Sequence, residues 1–176
     1  MAKERSEETL QRIRARQSCR AYTGKLLSRE EIEEILEAGR CAPSACNTQP
    51  WHLYGLCGEK VSALLPFLNP RFAKIGGAVV IATVPKELPF DLPGAKPNPF
   101  LDIDLGLVTL QMSLYAEGMG IASCIVGAFR KEEAAQALGI PEGEKPRLVL
   151  VLGEAEDPAL REKDGLPLSE VATVLA

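Results

Sequence analysis

Two stretches hold residue types that could do chemistry. The first is R-Q-S-C-R at residues 16–20, where Arg16, Ser18 and Arg20 alternate. In an extended segment the three side chains share one side; in a helix Arg16 and Arg20 still share a face. Two guanidiniums and a hydroxyl on one side make a phosphate cradle, because arginine forms bidentate charge-assisted bonds to phosphate oxygens. The second stretch is A-P-S-A-C-N-T-Q-P-W-H-L-Y-G-L at residues 42–56, with the single tryptophan and single histidine of the chain at Trp51 and His52. Pro43 and Pro50 fix two φ angles and remove two donors, so the loop is stiff. Ser44, Asn47 and Gln49 both donate and accept hydrogen bonds, which suits the edge of a planar heteroaromatic ring. Taken alone, each stretch also fits a plainer use. The first is equally a solvated basic patch, and the second a polar turn before a strand with Trp51 plugging the core.

The rest of the chain has to position these stretches. Leu10 and Ile13 share a face of a helix over about residues 7–13. Ser28 with Glu31 reads as a capping box, and Ile32, Ile35 and Leu36 as the stripe of the helix it opens. Residues 52–57 read as a short strand and 61–68 as a helix. The run A-V-V-I-A-T-V at 78–84 reads as a strand buried on both faces. Prolines 85, 89, 93, 97 and 99 mark an irregular loop, either a lid or a surface connector. Asp102 or Asp104 is placed to cap a helix reaching about Glu117. Its apolar row is Ile103, Leu107, Leu110 and Leu114, widened by Val108, Gln111 and Met112, which predicts packing on several sides. Residues 121–129 and 147–153 read as strands, with a short helix over 132–138 between them. The apolar end of the tail, 154–176, needs a surface to cover it, on this chain or on a partner.

Composition narrows the function classes. The chain has 176 residues, 46% of them hydrophobic, and a formal net charge of −4. That length fits one domain with a real core, and the acidic balance argues against a general nucleic-acid binder. No apolar run is long enough for a membrane span. The charged N-terminus does not read as a secretory signal, and five cysteines without a C-x-x-C pair predict neither structural zinc nor disulfides. The expectation is a cytoplasmic protein with reduced thiols. G-x-G-x-x-G and G-K-[ST] are both absent, which excludes the usual dinucleotide fingerprint and the P-loop.

Together the segments resemble the nitroreductase family of FMN-dependent oxidoreductases over nearly the whole chain. R-Q-S-C-R-A-Y is similar to the family's R-x-S-x-R-x-[FY]. E-A-G-R-C-A-P-S-A-C-N-T-Q-P-W-H resembles A-x-x-A-P-S-x-x-N-x-Q-P-W. D-I-D-L-G with its apolar helix, and E-G-M-G-I-A-S-C-I-V-G-A, resemble the family's central helix and the strand after it.

The resemblance implies an α+β fold whose central sheet is mixed, mainly antiparallel, and flanked by helices. It implies one domain over residues 1–176, with 154–176 as an arm packing on the partner subunit of an obligate homodimer. Two FMN sites would lie at the subunit interface. Arg16 and Ser18 would hold the phosphate, and Arg20 would lie near the ribityl chain and the N1/O2 edge. Pro43, Ser44, Ala45 and Asn47 would line the flavin from the partner subunit, with Gln49 supporting their loop. Ile125, Val126 and Gly127 would lie along the isoalloxazine near N5. The family often has a basic residue just before its P-L-[ES]-E-V tail; Gly165 and Leu166 stand there instead, leaving Arg161 and Lys163 as the nearest cations. A positive charge beside N1/O2 would stabilise negative charge on that edge. The hydride chemistry belongs to the cofactor, so no catalytic side chain and no metal are expected. The implied reaction is ping-pong: NADH or NADPH donates, then a nitroaromatic, quinone or related acceptor is reduced. Other flavin chemistry on the same fold, a non-enzymatic flavin-storage dimer and a plain structural α/β domain are the competing readings.

Overall fold

An unbroken run of small and β-branched apolar residues suits a strand covered on both faces, and all seven residues of Gly77–Thr83 are buried. The computed structural model, which describes residues 2–85 and 98–175, places this strand inside a four-stranded sheet. In chain order the elements are α1 (Ala2–Ala15), α2 (Arg29–Arg40), β1 (Trp51–Leu56), α3 (Glu59–Leu64), β2 (Gly77–Thr83), α4 (Leu101–Gly118), β3 (Ala122–Val126), α5 (Lys131–Leu138), β4 (Lys145–Gly153) and α6 (Leu168–Val171). The strand order is β1-β2-β4-β3, and every pairing is antiparallel. The parallel part of the expected mixed sheet reduces to one bridge. Ser18 lies parallel beside Ser123 on β3, with Cys19 N donating to Ser123 O at 2.9 Å.

The pleat sends alternate residues to opposite layers. Val79, Ile81, Leu150 and Leu152 meet Ile35, Leu105, Val108 and Met112 on the α2/α4 side. Ala78, Val80, Val149 and Val151 meet Tyr22, Leu64, Phe72 and Ala134 on the α3/α5 side. The Ser28 capping box forms, with Glu31 N donating to Ser28 Oγ at 3.1 Å and Ser28 N to Glu31 Oε2 at 2.7 Å. Near its other end α2 approaches α4 closely at Gly39, where a Cβ would fall 2.8 Å from Met112 Sδ.

Three expectations change. The helix over 61–68 becomes α3 followed by a 3₁₀ turn, Leu65–Phe67, because Pro66 has no N–H to continue it. Neither aspartate caps α4: Phe100 occupies that position, and Asp104 turns inward instead. The row Ile103, Leu107 and Leu110 is exposed, while Leu105, Val108, Thr109, Met112 and Ala116 are buried. A helix that is apolar nearly all round does not announce which face meets the sheet. Pro89, Pro93 and Pro97 of the irregular loop lie outside the described residues.

The outer strand β1 is tied to the turn before β4. Tyr54 Oη donates to Glu144 Oε2 at 2.6 Å, and His52 Nδ1 lies 3.1 Å from Glu144 Oε1 while its ring stacks on Tyr54. Burial and the bond to Glu144 push the Tyr54 hydroxyl up to about 12, and burial pushes Tyr22 up as well. Burial also raises the Glu144 carboxyl, but the bonds from Tyr54 and His52 more than offset this and leave it below its ordinary value. A tyrosine with a raised folded pKa contributes stability below its unfolded value, about 10, and loses it as pH climbs through the folded value. A depressed carboxyl contributes above its unfolded value and loses that as pH falls. Urea melts should therefore show unfolding free energy held to about pH 10 and falling toward about pH 12, with Tyr54→Phe shrinking the fall.

Candidate functional site

The cradle begins where α1 stops. Arg16 N donates to Arg12 O at 3.0 Å, and the chain then extends to the bridge at Ser18. Residues side by side in a parallel bridge point to the same face. Ser18 therefore follows Ser123 toward α4, where Ser123 Oγ lies 2.8 Å from Ser113 Oγ, both buried. By alternation Arg16 and Arg20 share that side, while Cys19 packs with the Tyr22 cluster on the other. Arg16 and Ser18 are half-buried and Arg20 is exposed.

After β4 the tail crosses back over this segment. Thr23 N donates to Glu154 O at 3.0 Å, and Glu156 N to Ala21 O at 3.1 Å. Arg161 donates from Nε to Gln17 Oε1 at 3.0 Å and from Nη2 to Ser18 O at 2.7 Å. Lys163 Nζ donates to Ile13 O at 2.8 Å, back on the last turn of α1. A groove of about 780 Å³ follows, lined by Arg16, Ser18, Arg20, Gly120, Ser123 and Arg161 among others. Lys163 does not line it, so the two candidate cations are separated by position. Among the described residues Arg16, Arg20 and Arg161 have no carboxylate partner, as is true of Arg5, Arg12, Arg14 and Arg71, whereas Arg29, Arg40, Arg130 and Arg147 pair with Glu33, Glu37, Glu133 and Asp102; the groove is where three of the unpaired ones meet. Three carboxylates also line the groove: Glu154, held by Thr23 and Lys25; Asp157, whose Oδ1 accepts from Ala159 N; and Glu117.

The loop after α2 is strained. Cys46, Asn47 and Gln49 have φ of 51°, 55° and 47°. Non-glycine residues there cost on the order of 1 kcal/mol or more each and persist only where surroundings hold them. Several bonds fold the loop on itself. Gln49 N donates to Ser44 Oγ at 2.9 Å, Thr48 Oγ1 to Ala45 O at 2.9 Å, and Gln49 Nε2 to Asn47 Oδ1 at 3.1 Å. Ala45 N donates to Asp104 Oδ1 at 3.0 Å. The Ser44 hydroxyl proton and Asn47 Nδ2 have no partner among the described residues, and Pro43 is exposed. On β3, Ile125 is 38% exposed on the α4 side, and Gly127 is exposed beyond it. Val126 turns into the opposite core layer and offers this surface only its backbone.

The structure brings Arg16, Ser18, Arg20 and Arg161 together along the β3 edge, at the C-terminal end of α4. The Pro43–Gln49 stretch sits at the other end of α4, beside Asp104. The helix from Asp104 to Glu117 spans about 20 Å. Two residues were passed over by sequence reasoning. Gln17, between the arginines, holds Arg161, and Asp104 was read as a helix cap. Neither partner is near in sequence: Gln17 and Arg161 are 144 residues apart, and Ala45 and Asp104 are 59 apart.

The sequence profile of the nitroreductase family matches residues 13–79 and 59–154. A protein of Archaeoglobus fulgidus, provisionally named an NADH dehydrogenase/NAD(P)H nitroreductase, is 33% identical over 168 residues that span 90% of this chain and 89% of that one. The oxygen-insensitive NADPH nitroreductase of Helicobacter pylori is 34% identical over 88 residues, 47% of this chain and 42% of that one. The crystal structure of a nitroreductase family protein from Clostridium difficile superposes with a TM-score of 0.75 at 27% identity, covering 92% of this chain and 95% of that one.

Removing the Arg161 side chain should loosen the tail from residues 17 and 18. Limited proteolysis of Arg161→Ala should cut the tail about tenfold faster than in the parent, and Gln17→Ala should do the same, because cleavage follows the population of the opened segment.

Proposed function

Because this chain belongs to the nitroreductase family, we propose that it is an FMN-dependent oxidoreductase, using NADH or NADPH to reduce nitroaromatic, quinone or related acceptors. The observation that carries this reading is the convergence of three guanidiniums without carboxylate partners on one groove. Guanidiniums that share a groove without an ion pair leave donors for an anion, and a dianionic phosphate would take them. The donor set fits FMN. Arg16, Ser18 and Arg161 would hold the phosphate, and Arg20 would set its charge toward the N1/O2 edge. Arg161 is preferred to Lys163, which is turned to α1. The hydroxyl of Ser44 and the amide of Asn47 would donate to the ring edge, with Pro43 and Ala45 beside them and Gln49 bracing the loop. Ile125, the Val126 backbone and Gly127 would offer the ring a flat, exposed surface. When bound, FMN supplies the two-electron carrier that takes a hydride from NAD(P)H and passes it to the acceptor that replaces it, a ping-pong exchange.

The site is completed by a homodimer in this reading. Ile103, Leu107 and Leu110 on α4, with Leu10 and Ile13 on α1, are exposed apolar residues that call for a cover. A two-fold axis across α4 lays two copies antiparallel. The loop at the N-terminal end of one α4 then meets the cradle at the C-terminal end of the other. Leu166, Leu168, Val171, Val174 and Leu175 leave the far part of the single domain's tail, beyond Lys163, as an arm for the partner. No helix among the described residues is long and apolar enough to cross a membrane, in keeping with a cytoplasmic enzyme.

An absorption spectrum repeated anaerobically after NADH and then NADPH should show flavin bands that bleach with at least one of them. Bands that persist would favour a storage protein or another reductant, and a protein that cannot be reconstituted with FMN would overturn the reading. Arg16→Ala should weaken FMN binding by about 1.5 kcal/mol or more, as for a lost charged hydrogen bond. Leu107→Arg should convert the dimer to monomer in analytical ultracentrifugation and lose flavin with it.

A further inference from the structure

The loop of residues 43–49 makes its own shape but not its own position. Among the described residues, its hydrogen bonds run within the loop with one exception, Ala45 N to Asp104 Oδ1. Asp104 stands in the first turn of α4 and is 2% exposed. Its second oxygen, Oδ2, is buried without a partner among the described residues. A buried polar oxygen with nothing to bond is costly, and an apolar side chain would serve the surrounding core better. The exposed Asp102, on the same turn and paired with Arg147, is the other acidic residue at the start of the helix.

We infer that Asp104 is a positioning residue: its Oδ1, by accepting the Ala45 N–H, holds the strained loop in the place from which Ser44 and Asn47 meet the cofactor. The loop's internal bonds keep its three left-handed residues in shape, and the Ala45–Asp104 bond is the one hydrogen bond among the described residues that fixes where this shape sits on α4. In the dimer the loop serves the partner's cradle, so a residue on one subunit positions a donor set for the cofactor held by the other. The cofactor part of this inference rests on the FMN reading above; the loop part does not.

Two readouts keep them apart. Trp51 is the only tryptophan and follows the loop by two residues, so acrylamide quenching of its fluorescence reports the loop in the apoprotein. FMN titration of the same apoprotein reports the cofactor site. Asp104→Ala should raise quenching and weaken FMN binding about tenfold or more. Asp104→Asn keeps an acceptor and removes the charge, so it should stay within about threefold of the parent and quench like it. The inference is overturned if Asp104→Ala matches the parent in both readouts. It is also overturned if Asp104→Asn is as damaged as Asp104→Ala, since charge near the helix terminus would then be what matters. A parent protein that binds no FMN would defeat the functional reading, while quenching would still judge Asp104. Should circular dichroism show Asp104→Ala unfolded, Ala45→Pro removes the donor instead. Ser44, at φ −145° and ψ 158°, already has the extended shape that precedes proline, and Ala45 opens the turn. Ala45→Pro should then match the losses predicted for Asp104→Ala, and parental behaviour would overturn the inference.

Discussion

Helix α4 lays Leu105, Val108, Met112 and Ala116 against Val79, Ile81, Leu150 and Leu152, and the functional segments take their places from that contact. Full burial of each large apolar side chain is worth about 1.5–3 kcal/mol, so this face sets the rotation of the helix with energy to spare. That rotation turns Ser113 toward Ser123 and Asp104 toward Ala45. It also leaves Ile103, Leu107 and Leu110 outside. One packing decision thus sets the cradle edge, the anchor of the loop and the apolar face that remains open.

The polar parts of the site work against the rest of the fold. The chain carries a net charge of −4, and three guanidiniums without an ion pair gather at one groove whose lining also holds Glu117, Glu154 and Asp157. The loop residues likewise sit in backbone regions that other sequences avoid. Such costs are met because the double-sided core under β2 and β4 is extensive, with every residue of β2 buried. Backbone strain concentrates in the loop before β1, beside the sheet and α4.

The tail has two physical characters. Its first half is polar in its anchoring, through Arg161 to Gln17 and Ser18 and Lys163 to Ile13. The Arg161 bonds bring a third cation to the groove, while the Lys163 bond ties the tail to α1. Its second half carries exposed Leu166, Leu168, Val171, Val174 and Leu175, which nothing in the same subunit covers among the described residues. With Leu160, these are the large apolar side chains of the tail that stay open to solvent, while the polar anchors lie at Arg161 and Lys163.

Local patterns were enough for much of this. The capping box at Ser28 and Glu31, the buried runs at β2 and β4, and the alternation of Arg16, Ser18 and Arg20 depend on neighbours a few residues away, so periodicity and capping chemistry reveal them. The motifs in their order also disclosed the family and the α+β fold. What the chain could not disclose by itself was decided at long range. The sequence of α4 is apolar nearly all round, and only docking on the sheet chose Leu105 and Met112 over Leu107 and Leu110 for the core. Asp104 resembled a cap because two aspartates opened a helix, and its partner lay 59 residues away. Arg161 and Lys163 were equivalent cations in the sequence, until the antiparallel bridge from Tyr22 to Ala155 fixed the path of the tail and set one over Ser18 and the other on α1. Propensity and spacing act within a turn or a strand, whereas which side chain meets which across the molecule follows from how whole elements share a limited core.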